Sequence, residues 1–403
     1  MDGRKSVLAG YRVLDLTRVL AGPWCTMTLG DFGAEVIKIE NPEGGDDTRK
    51  WGPFTEGGLS VYYLMTNRNK RSVAIDLASS EGQAIAGRLA SEADVVVENY
   101  RLGALRKFGL DYETVRTINP RVVYCSISGY GRDSPLAHLP GYDYVTQAEA
   151  GMMSFTGEPD GMPLKLPVPL IDLMAGMNAT QSVLLALFER ERTGQGQLID
   201  ISLLDAGVVG LLNAGSECLL TGESPRRLGN HHPAIVPYQM FRASDAPFVV
   251  GVGNDNQFRT LCNVVLQRPE LAADARFATN AQRVAHRDFL VSELDRIFAT
   301  RTAQAWVEAM RLAGLPVGKV RPVAEVLDAP EVVARGLIEE VTHPQMGALR
   351  LIGSPLKLAQ TPPRTRYAPP LLGQHTREVL AELGMGPVEI DRLVSKGVAG
   401  AGA

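Results

Sequence analysis

Between Tyr11 and Ser128, short runs rich in β-branched residues alternate with helix-length stretches, and this alternation constrains the fold more than any other feature of the chain. Tyr11 to Leu16 reads as a strand leading into the loop Thr17-Arg18-Val19-Leu20-Ala21-Gly22. Pro23 suits the first turn of the helix that follows, where its missing N–H costs nothing. That helix is expected to run to about Phe32, stop at Gly33 and return as a strand over Glu35 to Ile39. Ser72 to Asp76, Asp94 to Glu98 and Arg121 to Ser128 repeat the strand signal, with an amphipathic helix over Glu81 to Ala93. Such alternation predicts a parallel sheet covered on both faces, with ligands outside the carboxyl ends of its strands. Loops beginning at Thr17, Asn99 and Gly129 sit at such ends, so distant residues can converge on one crevice.

Further on, Leu170 to Asp172 runs into an apolar helix from Met174 to about Arg190, and Gln197 to Ser202 into another from Leu203 to about Leu220. After Thr221 the texture changes to GESPRRLGNHHPAIVPYQ, a linker or domain-crossing loop. A smaller unit follows, with a strand over Phe248 to Val252 and helices over Asp288 to Ala299 and Ala303 to Leu312. From about Leu337 the chain reads as strand again, then as helices over Gln374 to Leu383 and Val388 to Val394, and the closing GVAGAGA reads as a frayed tail.

The chain has 403 residues, which at roughly 150 residues per domain implies two or three domains. A net charge of -4 argues against a protein built to neutralise a nucleic-acid backbone. Cys25, Cys125, Cys218 and Cys262 lie far apart, without the spacing of a zinc knuckle or redox pair, and read as reduced core residues. No signal peptide or membrane span is read from the sequence, and the cytoplasm is the default location.

Asp172 is the only acid in the apolar run Lys165 to Met174, and something must justify its charge. One reading is an N-cap, which satisfies orphan N–H groups and the positive helix end. The other is a nucleophile held at a strand-to-helix junction facing a crevice. Asp143, in Gly141-Tyr142-Asp143, reads as a cap, and Tyr142 as a ligand contact or a structural hydrogen-bond donor. The run Asn67-Arg68-Asn69-Lys70-Arg71, with Arg101, Arg106 and Lys107, reads either as solvated faces or as partners for a ligand carrying several phosphates. No dinucleotide or P-loop glycine motif is present. His231 and His232 lack a third ligand at metal spacing and read as loop residues. Gly251, Gly253 and Asn254 read as a hairpin-end loop, or as a flexible loop able to approach a reacting carbonyl.

The order and wording of these segments resemble the class III CoA-transferases, the family of formyl-CoA, carnitine and succinyl-CoA-dependent dicarboxylate transferases. The earlier blocks are VLDLTRVLAGP from Val13, GAEVIKIE from Gly33, GDDTR from Gly45, NRNKRS from Asn67, DVVVENY from Asp94 and GYD from Gly141. The later ones are IDLMAG from Ile171, TGQGQLIDISLLD from Thr193, GNHHPAIVPYQMF from Gly229, GVGNDNQF from Gly251 and LLGQHTREVL from Leu371. The resemblance implies an α/β large domain with a Rossmann-like parallel sheet, built from both chain ends (1–220 and 337–403). It also implies a smaller central α+β domain (221–336) and an interlocked homodimer.

It places the nucleophile on Asp172 and CoA-binding positions on Leu20, Ala21, Asn41, Ile75, Asp76, Leu77, Ala78, Asn99, Tyr100, Arg101, Lys107 and Tyr142. Lys38 and Arg71 are added as nearby phosphate partners, and the Gly251 to Asn254 loop as an oxyanion site. CoA and acyl-CoA are then substrates rather than bound cofactors, and neither nucleic acid nor membrane is a partner. The formyl-CoA branch carries glutamine and arginine where this chain has Leu20 and Asn41, which points away from formate or oxalate. The related racemases need a histidine where this chain has Tyr142, and a phenol near pKa 10 exchanges an α-proton poorly at neutral pH. A CoA-binding protein without turnover is the remaining alternative. The wording is closest to the succinyl-CoA-dependent branch acting on glutarate, in which Arg18, Arg226 or Arg227 would hold the acceptor's second carboxylate.

Overall fold

The computed structural model describes residues 6–402, so the first five residues of the amino-terminal reading lie outside it. Six parallel strands form its central sheet: β1 (Arg12–Leu16), β2 (Glu35–Glu40), β3 (Lys70–Ala74), β4 (Val95–Glu98), β5 (Val123–Ser128) and β6 (Leu198–Ser202), in the order β3-β2-β1-β4-β5-β6. All six come from the first half of the chain. The register pairs Val13 with both Val36 and Val95, so β1 lies in the middle, where the strand order reverses.

The strands are buried on both faces, and alternation sorts their side chains. Leu14, Leu16, Ile37 and Val96 enter one core, against Ile85 and Leu89 of helix α1 (Ser80–Glu92) and Val379 and Leu380 of the C-terminal region. Val13, Val36, Val95 and Val97 enter the other. There they meet Cys25 and Leu29 of α2 (Ala21–Asp31) and Ile171, Ala175, Ala179 and Val183 of α3 (Leu170–Thr193). Each fully buried aliphatic side chain of this kind contributes about 1.5–3 kcal/mol.

The small residues of α3 let it approach α2 closely. A Cβ on Gly176 would stand 2.6 Å from the Ala21 carbonyl oxygen and 3.1 Å from Trp24 Cβ. The contact therefore brings the N-termini of α2 and α3 together. Against the expectation of no membrane span, α3 is by length and composition able to cross a membrane; half of its apolar window is buried inside the protein.

Three local expectations need correction. The single helix expected from Leu203 to Leu220 is two, Leu203–Val209 and Leu212–Thr221, bent by 75°, with Leu212 at a φ of 48°. The tail is not frayed where described: Val398 and Ala399 are buried, Asp76 N–H donates to Val398 O, and Gly400 N–H donates to Ala74 O. The charged run 67–71 is not a solvated face, because all five residues are buried. Arg68 makes a fork of bonds to Asp31, Lys70 donates to Asp15, Asn67 and the Pro23 carbonyl, and Arg71 pairs with Glu35 and Glu382.

The chain divides into two compact units. One comprises the described residues of Met1–Met152, Lys165–Glu223 and Pro330–Ala403; the other comprises Met153–Leu164 and Ser224–Ala329. The second has its own antiparallel sheet, Tyr238–Arg242, Pro247–Gly251 and Val317–Lys319, packed on helices around Phe248, Phe258, Phe298 and Trp306.

Candidate active site

The reversal of strand order at β1 and β4 opens a crevice at their carboxyl ends, the place where open α/β sheets receive ligands. Two loops meet there and are stitched by one side chain. Asn99, after β4, accepts from Arg18 N–H at 2.9 Å and donates to Arg18 O at 2.7 Å. The crevice holds a cavity of about 330 Å³ lined by Arg18, Leu20, Ala21, Asn99, Tyr100, Arg101, Tyr142 and Asp172, among others. A neighbouring cavity of about 420 Å³ shares Arg18, Asp47 and Tyr100 with it and reaches Asn41 and Ile75 to Ala78. Together they make an elongated groove along the ends of β1 to β5. Lys107 lines neither, but its ammonium lies 4.7 Å from the ring centre of Phe108, which lines the second cavity.

Asp172 stands at one end of this groove. It is the third residue of α3 rather than its N-cap, a place held by Pro169. Capping falls to Asp143, whose Oδ1 accepts from Ile171 N–H at 2.8 Å and weakly from Asp172 N–H at 3.3 Å. Asp143 thus is a cap, but for a helix 28 residues away in sequence, which no local spacing announces. Gln147 ties its other oxygen at 2.6 Å.

The Asp172 carboxyl is buried, and no described residue donates a hydrogen bond to it. Burial, and then the like charge of Asp143, push its pKa up to about 7. A buried carboxyl without a donor or a cation is costly to ionise, so it is poised either to hold a proton or to react. Leu20 and Ala21 line the same cavity and, with Gly22, open α2 without a side-chain cap; none of their N–H groups has a partner among the described residues.

Several expected ligand contacts are committed elsewhere. Lys38 is fully buried, donating to Thr17 O at 2.6 Å and pairing with Asp46 at 3.1 Å, so it cannot reach a phosphate in solvent. Arg71 is enclosed by carboxylates of Glu35, Glu378 and Glu382. In the second unit, Gly251 N–H donates to Pro316 O and Gly253 N–H to Gln257 Oε1, which removes two amides from the expected oxyanion site. Asn254 caps the short helix after it. Arg227 in that unit donates to the carbonyls of Glu158 and Ser154, and Arg226 is exposed. Arg18, by contrast, keeps a half-exposed guanidinium on the groove, 3.2 Å from Asp47 and 5.0 Å from the Tyr100 ring centre.

The sequence and fold have clear relatives. The chain is 43% identical over 394 residues to the succinate–glutarate CoA-transferase of Agrobacterium fabrum, covering 95% of this chain and 97% of that one. It is 41% identical to the succinyl-CoA:glutarate CoA-transferase of Mus musculus, covering 97% and 90%. Among solved structures, a CaiB/BaiF family protein from Brucella suis superposes with a TM-score of 0.85 at 40% identity, covering 94% of this chain and all of that one. The profile of CoA-transferase family III matches residues 8–376, and the chain belongs to that family of CoA-transferring enzymes.

Proposed function

We propose that this enzyme moves CoA from succinyl-CoA to a dicarboxylate, with Asp172 as the nucleophile. The observation that carries the proposal is the buried Asp172 carboxyl, without donor or cation, on the wall of a cavity that shares Arg18, Asp47 and Tyr100 with a second one. The dicarboxylate is argued from the activities of the glutarate transferases that the chain resembles and from Arg18, a cation on the groove with one carboxylate neighbour.

Asp172 attacks the thioester carbonyl carbon, the C–S bond breaks, and CoA leaves as thiolate while an acyl-aspartyl anhydride forms. The thiolate then attacks the aspartyl carbonyl carbon and expels succinate, leaving an aspartyl-CoA thioester. The acceptor carboxylate attacks that thioester and releases the thiolate, which finally attacks the acceptor's acyl carbon and returns Asp172 to its carboxylate. Burial favours acylation of Asp172, because acylation removes a charge that the pocket does not solvate, and exclusion of water keeps the anhydride from hydrolysis. The open N–H groups of Leu20, Ala21 and Gly22 face the developing oxyanion. Leu20, Ala21, Asn41, Ile75 to Ala78, Asn99 to Arg101, Lys107 and Tyr142 hold the CoA.

The working unit in this proposal is an interlocked homodimer in the cytoplasm. Support for the dimer is the exposed apolar stripe Met177, Leu184, Leu185 and Phe188 on one face of α3, with exposed Leu212, Leu219 and Leu220 after it, the kind of surface an association would cover.

The test is incubation with succinyl-CoA and a panel of carboxylic acids, following new CoA esters by mass. Transfer to dicarboxylates that vanishes in Asp172→Ala is expected. Absence of transfer with α-deuterium uptake from heavy water would replace the proposal with a racemase. Arg18→Ala is expected to weaken dicarboxylate use far more than monocarboxylate use; equal losses would remove Arg18 from acceptor binding.

A further inference from the structure

The loop that presents the open amides is held in a conformation its sequence resists. Val19 lies at a φ of 71°, in the left-handed region, where a β-branched side chain is strained by about 1–3 kcal/mol. Such a conformation persists only where the surroundings over-determine it, and here side chains pin the backbone of three successive residues. Thr17 N–H donates to Asp15, and Thr17 O accepts from Lys38. Both backbone groups of Arg18 bond to Asn99. Val19 N–H donates to the Asp46 carboxylate at 3.2 and 3.3 Å.

Asp46 is itself fixed. It is buried, accepts from Thr48 N–H and Oγ1, and pairs with the buried ammonium of Lys38, which in turn holds Thr17 O. One ion pair therefore clamps the loop at both ends, and the pinning stops at Leu20, where the unpartnered N–H groups begin. Gly22 completes the turn: a Cβ there would meet the Thr17 side chain at 2.3 Å.

We propose that Asp46, with Lys38, is a positioning residue for transfer: it holds Val19 in its left-handed conformation and thereby aims the Leu20 to Gly22 amides at the carbonyl attacked by Asp172. The inference rests on the transferase reading above.

A double-mutant cycle tests it, with Asp46→Ala measured in the natural background and in Val19→Gly, since glycine adopts a positive φ without assistance. Asp46→Ala is expected to lower kcat about 100-fold, the cost of a misplacement near 1 Å. In the Val19→Gly background the same substitution is expected to cost less than about tenfold. Equal losses in the two backgrounds would overturn the inference. A purely structural role would give equal losses, because Val19→Gly does nothing for a general defect in folding. Should Asp46→Ala leave Lys38 too unstable to fold, the pair Lys38→Met with Asp46→Leu removes both charges and is read in the same cycle. Crystal structures of the variants decide independently of activity: Val19 should leave positive φ in the Asp46 variant, and retention of positive φ would overturn the inference. If the natural protein transfers no CoA, the kinetic arm counts against the transferase reading, while the Val19 φ still decides the clamp.

Discussion

Asp15 and Asp172 are both buried acids beside the same helix pair, and they are opposites. Asp15, the penultimate residue of β1, lies among partners: Lys70 at 3.0 Å, the hydroxyls of Thr17 and Thr26, and the nearby ammonium of Lys38. Burial pushes its pKa up, but these cations and hydroxyls more than offset it and hold the carboxyl well below the usual range. Asp172 has burial and a neighbouring acid, set only against the positive end of its own helix. A buried carboxylate with its hydrogen bonds made is structure, and one without them is chemistry in waiting.

The sharpest break in this comparison is Asp172→Asn. It is expected to reduce transfer by more than about a thousandfold, since no nucleophile remains. The same change is expected to stabilise the fold. Folded Asp172 keeps its proton up to about pH 7, whereas the unfolded chain releases it near 3.8, so stability falls as pH rises between those values and stays low above them. Denaturation at pH 8 should therefore show the variant more stable by a few kcal/mol, on the order of 1.4 kcal/mol for each pH unit separating the two values. A less stable variant would mean that Asp172 has a partner in solution.

Asp15→Ala should do the reverse, stranding Lys70 in the core without its charge partner and costing about 3–5 kcal/mol in chemical denaturation. Its depressed pKa contributes stability above the ordinary carboxyl range that is lost on acidification, the opposite slope to Asp172. Transfer per folded molecule should survive better than in any Asp172 variant.

The smallest effect belongs to Asp143→Asn, which keeps an acceptor for Ile171 N–H but removes the like charge. The rising limb of kcat/KM against pH, set by ionisation of free Asp172, should move below 7, so activity at pH 6 increases a few-fold, within the tenfold per pH unit that ionisation allows. An unmoved limb would assign the titration to another group.

The parallel sheet is legible in the sequence because its strands are buried on both faces and carry their signal in consecutive apolar residues, as in Val95 to Val97. The groove is legible too, in that three loops fall at strand ends, and Leu20, Asn99 and Asp172 do line one cavity. The run Asn67 to Arg71 misleads because composition reports charge and not its partners. Asp31, Asp15 and Glu35 lie 36 or more residues away from the cations they hold. The tail misleads for the same reason, since glycine and alanine resemble a loose end until Ala74 and Asp76 supply hydrogen bonds.

Hydrophobic periodicity is local, so the sequence by itself determined the order of strands and helices, the parallel sheet and an isolated acid before a long apolar helix. Burial and electrostatic pairing are properties of what arrives from elsewhere in the chain. Only the tertiary structure decided that Asp143 caps the helix of Asp172, that Lys38 is spent on Asp46, and that of two buried aspartates one is neutralised by cations and the other is left free to react.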